Sequence, residues 1–203
     1  MATAQPLSRS FDEAIAAMRL HGMKLPRQLL TVRIPQARER LEEALALFVG
    51  HEGRTLHWLP EYDEVAAWLT DSQGLGLMLQ GNCGRGKTLL CRYVIPYLVL
   101  TYQDKVVRAF DIQDMNRDID ALLRLPAVSL DDIGTEEASI HYGERRMAFA
   151  EIIDSAEKTG QLVIFSTNLD IRPLTDRYGA RIIDRLSKLT RQVIFAGPSL
   201  RKR

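Results

Sequence analysis

The sequence contains little of the chemistry that cross-links small folds. It has two cysteines in 203 residues, Cys83 and Cys91, and they form no Cys-x-x-Cys pair. This pattern argues against a structural zinc site and a disulfide framework, and it is typical of a reducing cytosol. The four histidines are scattered along the chain and indicate no metal site. We therefore expect a cytoplasmic protein whose fold depends on a hydrophobic core.

Long apolar segments and an excess of charge are also missing. The longest apolar run, Val94–Leu100, is too short to span a bilayer, and the amino terminus lacks the pattern of a secretion signal. The net charge of +1 gives no global basic field for nucleic acid, although the short basic tail 201–203 can touch a DNA backbone. A hydrophobic content of 46% and a charged content of 26% predict a soluble, globular protein with no membrane partner.

A glycine-rich stretch carries the strongest functional signal. Residues 81–88 read Gly-Asn-Cys-Gly-Arg-Gly-Lys-Thr and match Gly-x-x-x-x-Gly-Lys-[Ser/Thr] at every fixed position. An apolar run that starts at Leu75 precedes them and a helix pattern follows, so we favour a phosphate site over a chance glycine turn. The glycines let successive N–H groups point at an anion, and the helix N-terminus adds partial positive charge.

Each residue of this loop has an expected role. The predicted nucleotide-binding residues are Gly81, Asn82, Cys83, Gly84, Arg85, Gly86, Lys87 and Thr88. Lys87 is expected to reach the β- and γ-phosphates, and the Thr88 hydroxyl to hold Mg²⁺. Cys83 is interpreted as a small filler residue rather than a redox switch, because the sequence supplies no resolving cysteine.

Polar residues end two later strand patterns. Asp131 and Asp132 follow an apolar strand, and open α/β sheets place ligands at the carboxyl ends of their strands. Asp131 is predicted to coordinate Mg²⁺ through water and Asp132 to orient or activate the attacking water, the alternative being a cap or turn. Asn168 ends the next strand, where its amide can bond that water or the γ-phosphate, although Asn-Leu-Asp is also turn chemistry.

Two arginines share one face of a later helix pattern. Arg181 and Arg185 are separated by four residues, which places them on the same side of a helix. They either pair with acids such as Asp184 or stabilise phosphoryl-transfer charge across a subunit boundary.

Strand and helix patterns alternate along the chain and predict an α/β fold with a five-stranded, mainly parallel sheet between helices. The strands predicted after the glycine loop are Lys105–Phe110, Pro126–Gly134, Leu162–Ser166 and Gln192–Ala196. We expect Pro96 to kink or end the helix that follows the loop. A further helix is predicted around Glu144–Lys158.

The predicted domains are a short helical N-terminal segment, residues 1–55, and a nucleotide-binding domain, residues 56–203. The first segment contains two amphipathic helix patterns, which cannot form a core alone. They therefore pack on the nucleotide-binding domain or dock a partner protein, and the sequence leaves both readings open. Trp58 and Tyr62 can flank an adenine, but we favour a place for them in the core.

Five segments in this order resemble one family. They read Gly-Asn-Cys-Gly-Arg-Gly-Lys-Thr, Leu-Asp-Asp-Ile-Gly-Thr-Glu, Phe-Ser-Thr-Asn-Leu, Tyr-Gly-Ala-Arg-Ile-Ile-Asp-Arg-Leu and Val-Ile-Phe-Ala-Gly-Pro-Ser-Leu-Arg. From Leu75 to Arg203 the chain resembles the AAA+ P-loop ATPases, and within them the bacterial and phage replicative-helicase loaders of the DnaC and DnaI type. The IstB-type transposition ATPases share much of the pattern. The resemblance implies ATP and Mg²⁺ as cofactors.

The resemblance also assigns roles by position. Gly81–Thr88 is similar to Walker A, Asp131 and Asp132 to Walker B, and Asn168 to sensor 1. Arg185 resembles the arginine finger that reaches a neighbour's ATP, with Arg181 as a second candidate.

Two departures from the family pattern matter. Many AAA+ proteins have glutamate where this chain has Asp132, and the shorter side chain is expected to slow hydrolysis. The chain ends soon after the fifth strand and leaves no room for a C-terminal helical lid domain, which loaders of this type also lack. This implies a weak or partner-stimulated ATPase. Residues 1–55 match no loader N-terminal domain, although in the resemblance that region grips the helicase.

We therefore predict an ATP-controlled assembly factor of DNA replication. It would act on a replicative helicase and single-stranded DNA, and it would self-associate with Arg185 acting in trans. One alternative is an IstB-like transposition-targeting ATPase or a nucleotide-dependent adaptor. A P-loop kinase for a small acceptor is less favoured, because such enzymes need an arginine-bearing lid.

Overall fold

The computed structural model describes residues 10–23, 29–135, 139–141 and 144–200. Its helices are α1 (Phe11–Leu20), α2 (Ala37–His51), α3 (Pro60–Thr70), α4 (Lys87–Leu89), a π-helical turn (Leu90–Val94), α5 (Ile95–Gln103), α6 (Ile112–Arg117), α7 (Ile119–Leu122), α8 (Ala148–Thr159), α9 (Ile171–Tyr178) and α10 (Ala180–Leu189). Its strands are β1 (Gly76–Gly81), β2 (Arg108–Phe110), β3 (Ala127–Ile133), β4 (Ser139–His141), β5 (Glu144–Arg146), β6 (Leu162–Thr167) and β7 (Thr190–Phe195). Within these ranges no helix is long and apolar enough to cross a membrane.

Five strands form one parallel sheet, as the alternating pattern predicts. The order of the strands in the sheet is β2-β3-β6-β1-β7. β1 lies between β6 and β7, so the carboxyl ends of these strands meet at one edge of the sheet. β2 is shorter than predicted and begins at Arg108 rather than Lys105. Arg108 pairs with Val128, next to the start of β3 at Ala127, so residues before it have little strand to pair with.

The predicted helix around Glu144–Lys158 is wrong at its start. Glu144–Arg146 instead forms β5, which pairs antiparallel with β4. The helix α8 begins at Ala148, where buried residues first recur at helical spacing, as Phe149, Ile152 and Ala156 show. The turn between β4 and β5 lies outside the described residues.

The helix after the glycine loop continues through Pro96 rather than ending there. A π-helical turn precedes Pro96, and within it the Ile95 N–H bonds to the carbonyl of Leu90. In this longer register the carbonyl of Cys91 would need the N–H of Pro96, which proline lacks. The Ser129 hydroxyl of β3 donates to that carbonyl at 2.7 Å. A tertiary hydrogen bond thus replaces the helical one and lets the helix run on.

The sheet has a hydrophobic core on each face. Alternation along β1 sends Leu77 and Leu79 to the core formed with α2, α3, the π-helical turn and α5, and Met78 to the core formed with α6–α10. The apolar side of α2, including Leu41 and Leu45, belongs to the first of these cores. Of the two readings left open, α2 therefore packs on the nucleotide-binding domain. The domain boundary after residue 55 stays a prediction.

Candidate nucleotide-binding site

Backbone geometry explains the three glycines of the loop between β1 and α4. Gly81, Gly84 and Gly86 have φ angles of +127°, +77° and +91°, a region that favours glycine. A Cβ on Gly81 would lie 2.2 Å from the carbonyl oxygen of Phe195, and one on Gly86 would lie 2.6 Å from the Tyr62 hydroxyl. The loop therefore combines positive φ angles with two positions that have no room for a side chain.

The Lys87 ammonium lies within the loop and is buried. Its Nζ donates to the carbonyl oxygens of Gly81 at 2.8 Å and Asn82 at 2.7 Å, and to Asn168 Oδ1 at 2.9 Å. These three acceptors match the three N–H donors of a lysine. Burial lowers the pKa of Lys87, and the nearby Asp132 opposes that shift.

Asn168 connects the loop to the two aspartates. Its Nδ2 donates to Asp132 Oδ1 at 2.7 Å, while its Oδ1 accepts from Lys87. The ends of β1, β3 and β6 thus bring together three side chains that the sequence separates widely. This is the arrangement that the carboxyl-end rule predicts for a ligand site.

The two aspartates sit at an irregularity in β3. The register of the β3–β6 pair shifts between Leu130 and Ile133, and Asp132 has a φ of +60°. Ser166 bridges both aspartates: its hydroxyl donates to Asp131 Oδ1 at 2.6 Å and accepts the Asp132 N–H at 2.9 Å. Sequence reasoning noted Ser166 only as part of a Ser-Thr-Asn string. Its position two residues before Asn168 on an apolar strand was the available signal.

The donor set fits Mg²⁺ in the company of a nucleotide. Asp131 is buried at the end of β3 and supplies carboxylate oxygen, and the exposed Thr88 at the start of α4 supplies a hydroxyl. Hard oxygen ligands of this kind suit Mg²⁺, which usually takes one or two protein groups and completes its shell with phosphates and water. The described residues hold no group of three or more His, Cys, Asp or Glu side chains suited to a metal ion.

The Arg85 side chain is committed elsewhere, although the sequence pattern placed it with the phosphate-binding residues. Its guanidinium forms a buried ion pair with Glu61 of α3, with Nη2 2.7 Å and Nε 3.2 Å from Oε1. Its Nη1 donates to the carbonyl of Pro198 at 3.1 Å, and the Ala196 N–H donates to the same Glu61 oxygen at 3.1 Å. The side chain of Arg85 therefore anchors the loop, which leaves its backbone N–H for a phosphate.

Residues after β7 fasten the other side of the loop. The Asn82 side chain donates to the carbonyl of Gly197 at 2.9 Å, and its backbone N–H donates to that of Phe195 at 3.0 Å. The Leu200 N–H donates to the carbonyl of Gly84 at 2.9 Å. Residues 195–200 thus hold the phosphate loop through its own backbone.

The aromatic and cysteine side chains near the loop differ in how deeply they are buried. Tyr62 is buried in the core, packs against Trp58 and Phe195, and has its pKa raised by burial to about 12. Trp58 is half-buried. Cys83 is exposed, whereas Cys91 is fully buried, and burial raises the pKa of the Cys91 thiol.

The two candidate finger arginines have different surroundings. Arg185 is 13% exposed, forms an ion pair with Asp154 of α8, and places its Nε 2.6 Å from Glu157 Oε2. Arg181 is 72% exposed, and its Nη2 lies 3.5 Å from Asp154 Oδ2. The charge of Arg185 is therefore balanced within its own subunit, whereas Arg181 faces solvent.

Comparison with known proteins gives one family match and several similar structures. The family model described as Nephrocystin 3, N-terminal, matches residues 54–136, less than half of the chain. No curated protein sequence matches. The crystal structure of the DnaC helicase loader is similar over 81% of this chain and 93% of its own, with a TM-score of 0.52 and 18% identity.

Two further solved structures are similar. The crystal structure of DnaI aligns with 63% of this chain and 73% of its own, with a TM-score of 0.50 and 23% identity. AMPPCP-bound DnaA from Aquifex aeolicus aligns with 68% of this chain and 48% of its own, with a TM-score of 0.52 and 12% identity. These likenesses confirm the predicted α/β fold with a parallel sheet between helices. In architecture the chain resembles DnaI and the DnaC helicase loader.

Proposed function

We propose that the chain binds and hydrolyses ATP with Mg²⁺. The observation that carries the proposal is the hydrogen-bonded series from Lys87 through Asn168 to Asp132. It connects the phosphate loop, the residue similar to sensor 1 and the predicted base through two bonds shorter than 3 Å. The similar DnaA structure, which contains AMPPCP, supports an ATP-like ligand for this fold.

The chain's own groups suit this chemistry. Two N–H donors of Lys87, now on the carbonyls of Gly81 and Asn82, can turn to phosphate oxygens, which form stronger charge-assisted bonds than neutral carbonyls do. Asn168, held by Lys87 and Asp132, is a fixed amide next to the predicted base. Asp132 would orient the attacking water and take its proton. Asp131 and Thr88 would hold Mg²⁺, which neutralises charge on the phosphates when bound.

A hydrolysis assay with purified full-length protein tests this proposal. We expect Mg²⁺-dependent release of free phosphate from ATP that is lost in Lys87→Ala and strongly reduced in Asp132→Ala. Arg33→Ala is the matched control, because Arg33 is an exposed side chain paired with Asp71 away from the loop. Transfer of phosphate to a small acceptor instead of water would overturn the proposal in favour of a kinase. If a cell that carries Asp132→Ala shows the same function as one with the wild-type protein, a nucleotide-dependent adaptor would be favoured.

We also propose that this ATPase is a helicase-loader-like assembly factor of DNA replication. The support is the fold likeness to DnaI and to DnaC, the latter named a helicase loader, together with the Walker, sensor and arginine segments in the same order. Its partners would be a replicative helicase and single-stranded DNA. An IstB-like role in transposition is the alternative that a helicase-binding assay must separate.

Residues 1–55 are the proposed docking region for the partner. Leu20 and Met23, at the end of α1, are 82% and 57% exposed. In full-length protein, Leu20→Asp with Met23→Asp should abolish co-elution with the replicative helicase of the same cell. Ile194→Asp is the matched control, because Ile194 is also 57% exposed but lies on β7. Co-elution that depends on Ile194 and not on α1 would refute this docking region.

We further propose self-association with an arginine of α10 acting in trans. Because Arg185 is paired with Asp154 and Glu157, Arg181 is the better-placed candidate, and Arg185 would have to exchange two partners. Arg181→Ala and Lys87→Ala subunits should each be inactive alone. Mixed, they should regain activity, because the Lys87→Ala subunit donates Arg181 to an intact site. Concentration-independent activity in the wild type, or no rescue on mixing, would refute it.

A further inference from the structure

One hydroxyl group lies between the two aspartates of the site. Ser166, on β6, is 2% exposed. A serine hydroxyl has one proton to donate, and a carboxylate can only accept while a backbone N–H can only donate. The proton of Ser166 therefore goes to Asp131 Oδ1, at 2.6 Å, and its lone pair accepts the Asp132 N–H, at 2.9 Å. The chemistry of the partners fixes the direction of both bonds.

These two bonds act on different parts of the site. The first holds one oxygen of Asp131, so the orientation of that carboxylate depends on Ser166. The second satisfies a backbone N–H where the β3–β6 ladder loses register and Asp132 adopts a positive φ. Such conformations are disfavoured for residues other than glycine and persist where surrounding groups hold them. Ser166 thus supports both the carboxylate of one aspartate and the backbone of the next.

We propose that Ser166 is a positioning residue for the metal-binding carboxylate. By binding Oδ1 it fixes the carboxylate of Asp131 and leaves Oδ2, which would hold the cation or one of its waters, and by holding the Asp132 N–H it keeps the Asp132 carboxylate within reach of Asn168. Outer hydrogen-bond partners of metal ligands act in this way. The inference rests on the proposed ATPase function and adds a residue that contacts neither nucleotide nor metal.

Ser129 provides a matched control on the neighbouring strand. It is also a buried serine, 1% exposed, and its hydroxyl donates a 2.7 Å bond to the carbonyl of Cys91 rather than to a carboxylate. Ser129→Ala therefore removes a buried hydroxyl bond of similar length without touching either aspartate. Any general cost of losing a buried serine should appear in both variants.

The test measures metal binding apart from turnover. Mn²⁺ is titrated into full-length protein saturated with a non-hydrolysable ATP analogue, and free Mn²⁺ is read by electron paramagnetic resonance. Ser166→Ala should weaken Mn²⁺ binding ~10- to 100-fold, the range for lost outer partners of metal ligands. Affinity for the analogue without metal should not change. Ser129→Ala should lower the melting temperature and leave Mn²⁺ affinity at the wild-type value.

A second variant keeps the test decisive if Ser166→Ala does not fold. Ser166→Cys nearly conserves volume and retains a weak donor, so its Mn²⁺ affinity should lie between wild type and the alanine variant. Wild-type Mn²⁺ affinity in the Ser166 variants, or an equal loss in Ser129→Ala, would overturn the inference. If the wild type itself neither binds the analogue nor hydrolyses ATP, the proposed function fails. If the wild type does both and the Ser166 variants still give one of these contrary results, only the role of Ser166 is refuted.

Discussion

The buried pair of Arg85 and Glu61 yields the sharpest prediction about the loop. Their side chains are only 8% and 9% exposed. One oxygen of Glu61, Oε1, accepts hydrogen bonds from the Arg85 guanidinium and from the Ala196 N–H. Within the part of the chain that the structure describes, the other oxygen, Oε2, has no hydrogen-bond partner. Arg85→Ala would leave a buried carboxylate with one backbone donor. Removing one partner of a buried ion pair costs roughly 3–5 kcal/mol.

The change in stability should be large enough to measure by heat or urea. For a chain of this size, ~3–5 kcal/mol corresponds to a fall in melting temperature of roughly 6 to 20 °C. Arg33→Ala, which removes the exposed partner of Asp71, should cost no more than ~1 kcal/mol. The affinity for an ATP analogue should also fall in Arg85→Ala, because Arg85 fastens the loop to α3 and to Pro198.

A double variant separates the unpaired charge from the lost packing. Glu61→Gln with Arg85→Met removes both charges, keeps an acceptor for the Ala196 N–H and fills the site with an apolar side chain. Replacing a buried pair in this way is often close to neutral, so most of the lost stability should return. The reasoning is refuted if Arg85→Ala costs no more than Arg33→Ala, or if the double variant is as unstable as the single one.

Three other predictions follow from single contacts. Because the pKa of Tyr62 is raised to about 12 and that of an unfolded tyrosine is about 10, stability should fall between pH 10 and 12, and Tyr62→Phe should flatten that fall in denaturation curves. Gly86→Ala should cost ~1–3 kcal/mol and weaken binding of an ATP analogue in titrations, and Tyr62→Phe in the same background should recover part of the loss, because the clash is with the hydroxyl. Ser129→Ala should cost ~1–3 kcal/mol, since it leaves the carbonyl of Cys91 without a partner. The stability cost of Ser129→Ala should be smaller in a Pro96→Ala background, because residue 96 then has an N–H for the carbonyl of Cys91. If the losses of the two single variants add in urea unfolding of the double variant, this account is contradicted.

The sheet and the phosphate loop could be predicted because their determinants are local. Apolar runs of strand length recur along the chain, and each contributes a strand to one parallel sheet. The fixed glycines, Gly81 and Gly86, correspond to positive φ angles and to close contacts with the Phe195 carbonyl and the Tyr62 hydroxyl. Because ligands bind at the carboxyl ends of parallel strands, the sequence also predicted that Asp132 and Asn168 lie near the loop, although their hydrogen bond could not be predicted.

Ionic partners could not be read from the sequence, because they come from other elements of the fold. Asp184 was one candidate acid for the arginines of α10, but it pairs with Lys188 at 2.6 Å. Arg185 instead pairs with α8, through Asp154 and Glu157. Spacing on one helix identifies residues that share a face, whereas the acid that faces them depends on how two helices pack.

Pro96 shows the same limit for backbone structure. The rule that proline ends or kinks a helix considers only bonds within that helix. Here the Ser129 hydroxyl, on a strand over thirty positions away, replaces the missing N–H and donates a hydrogen bond to the carbonyl of Cys91. A single tertiary bond is therefore enough to keep the helix from ending at Pro96.

The fastening of residues 195–200 to the phosphate loop has a practical consequence for how this protein is handled. Leu200 bonds to Gly84, and Gly197 and Pro198 bond to Asn82 and Arg85. A purification tag or fusion partner joined directly after residue 200 would lie next to that bond. Tension or crowding there would be transmitted to the carbonyl of Gly84. Affinity measurements on this protein should therefore carry their tag at the amino terminus, or the tag itself becomes a variable of the assay.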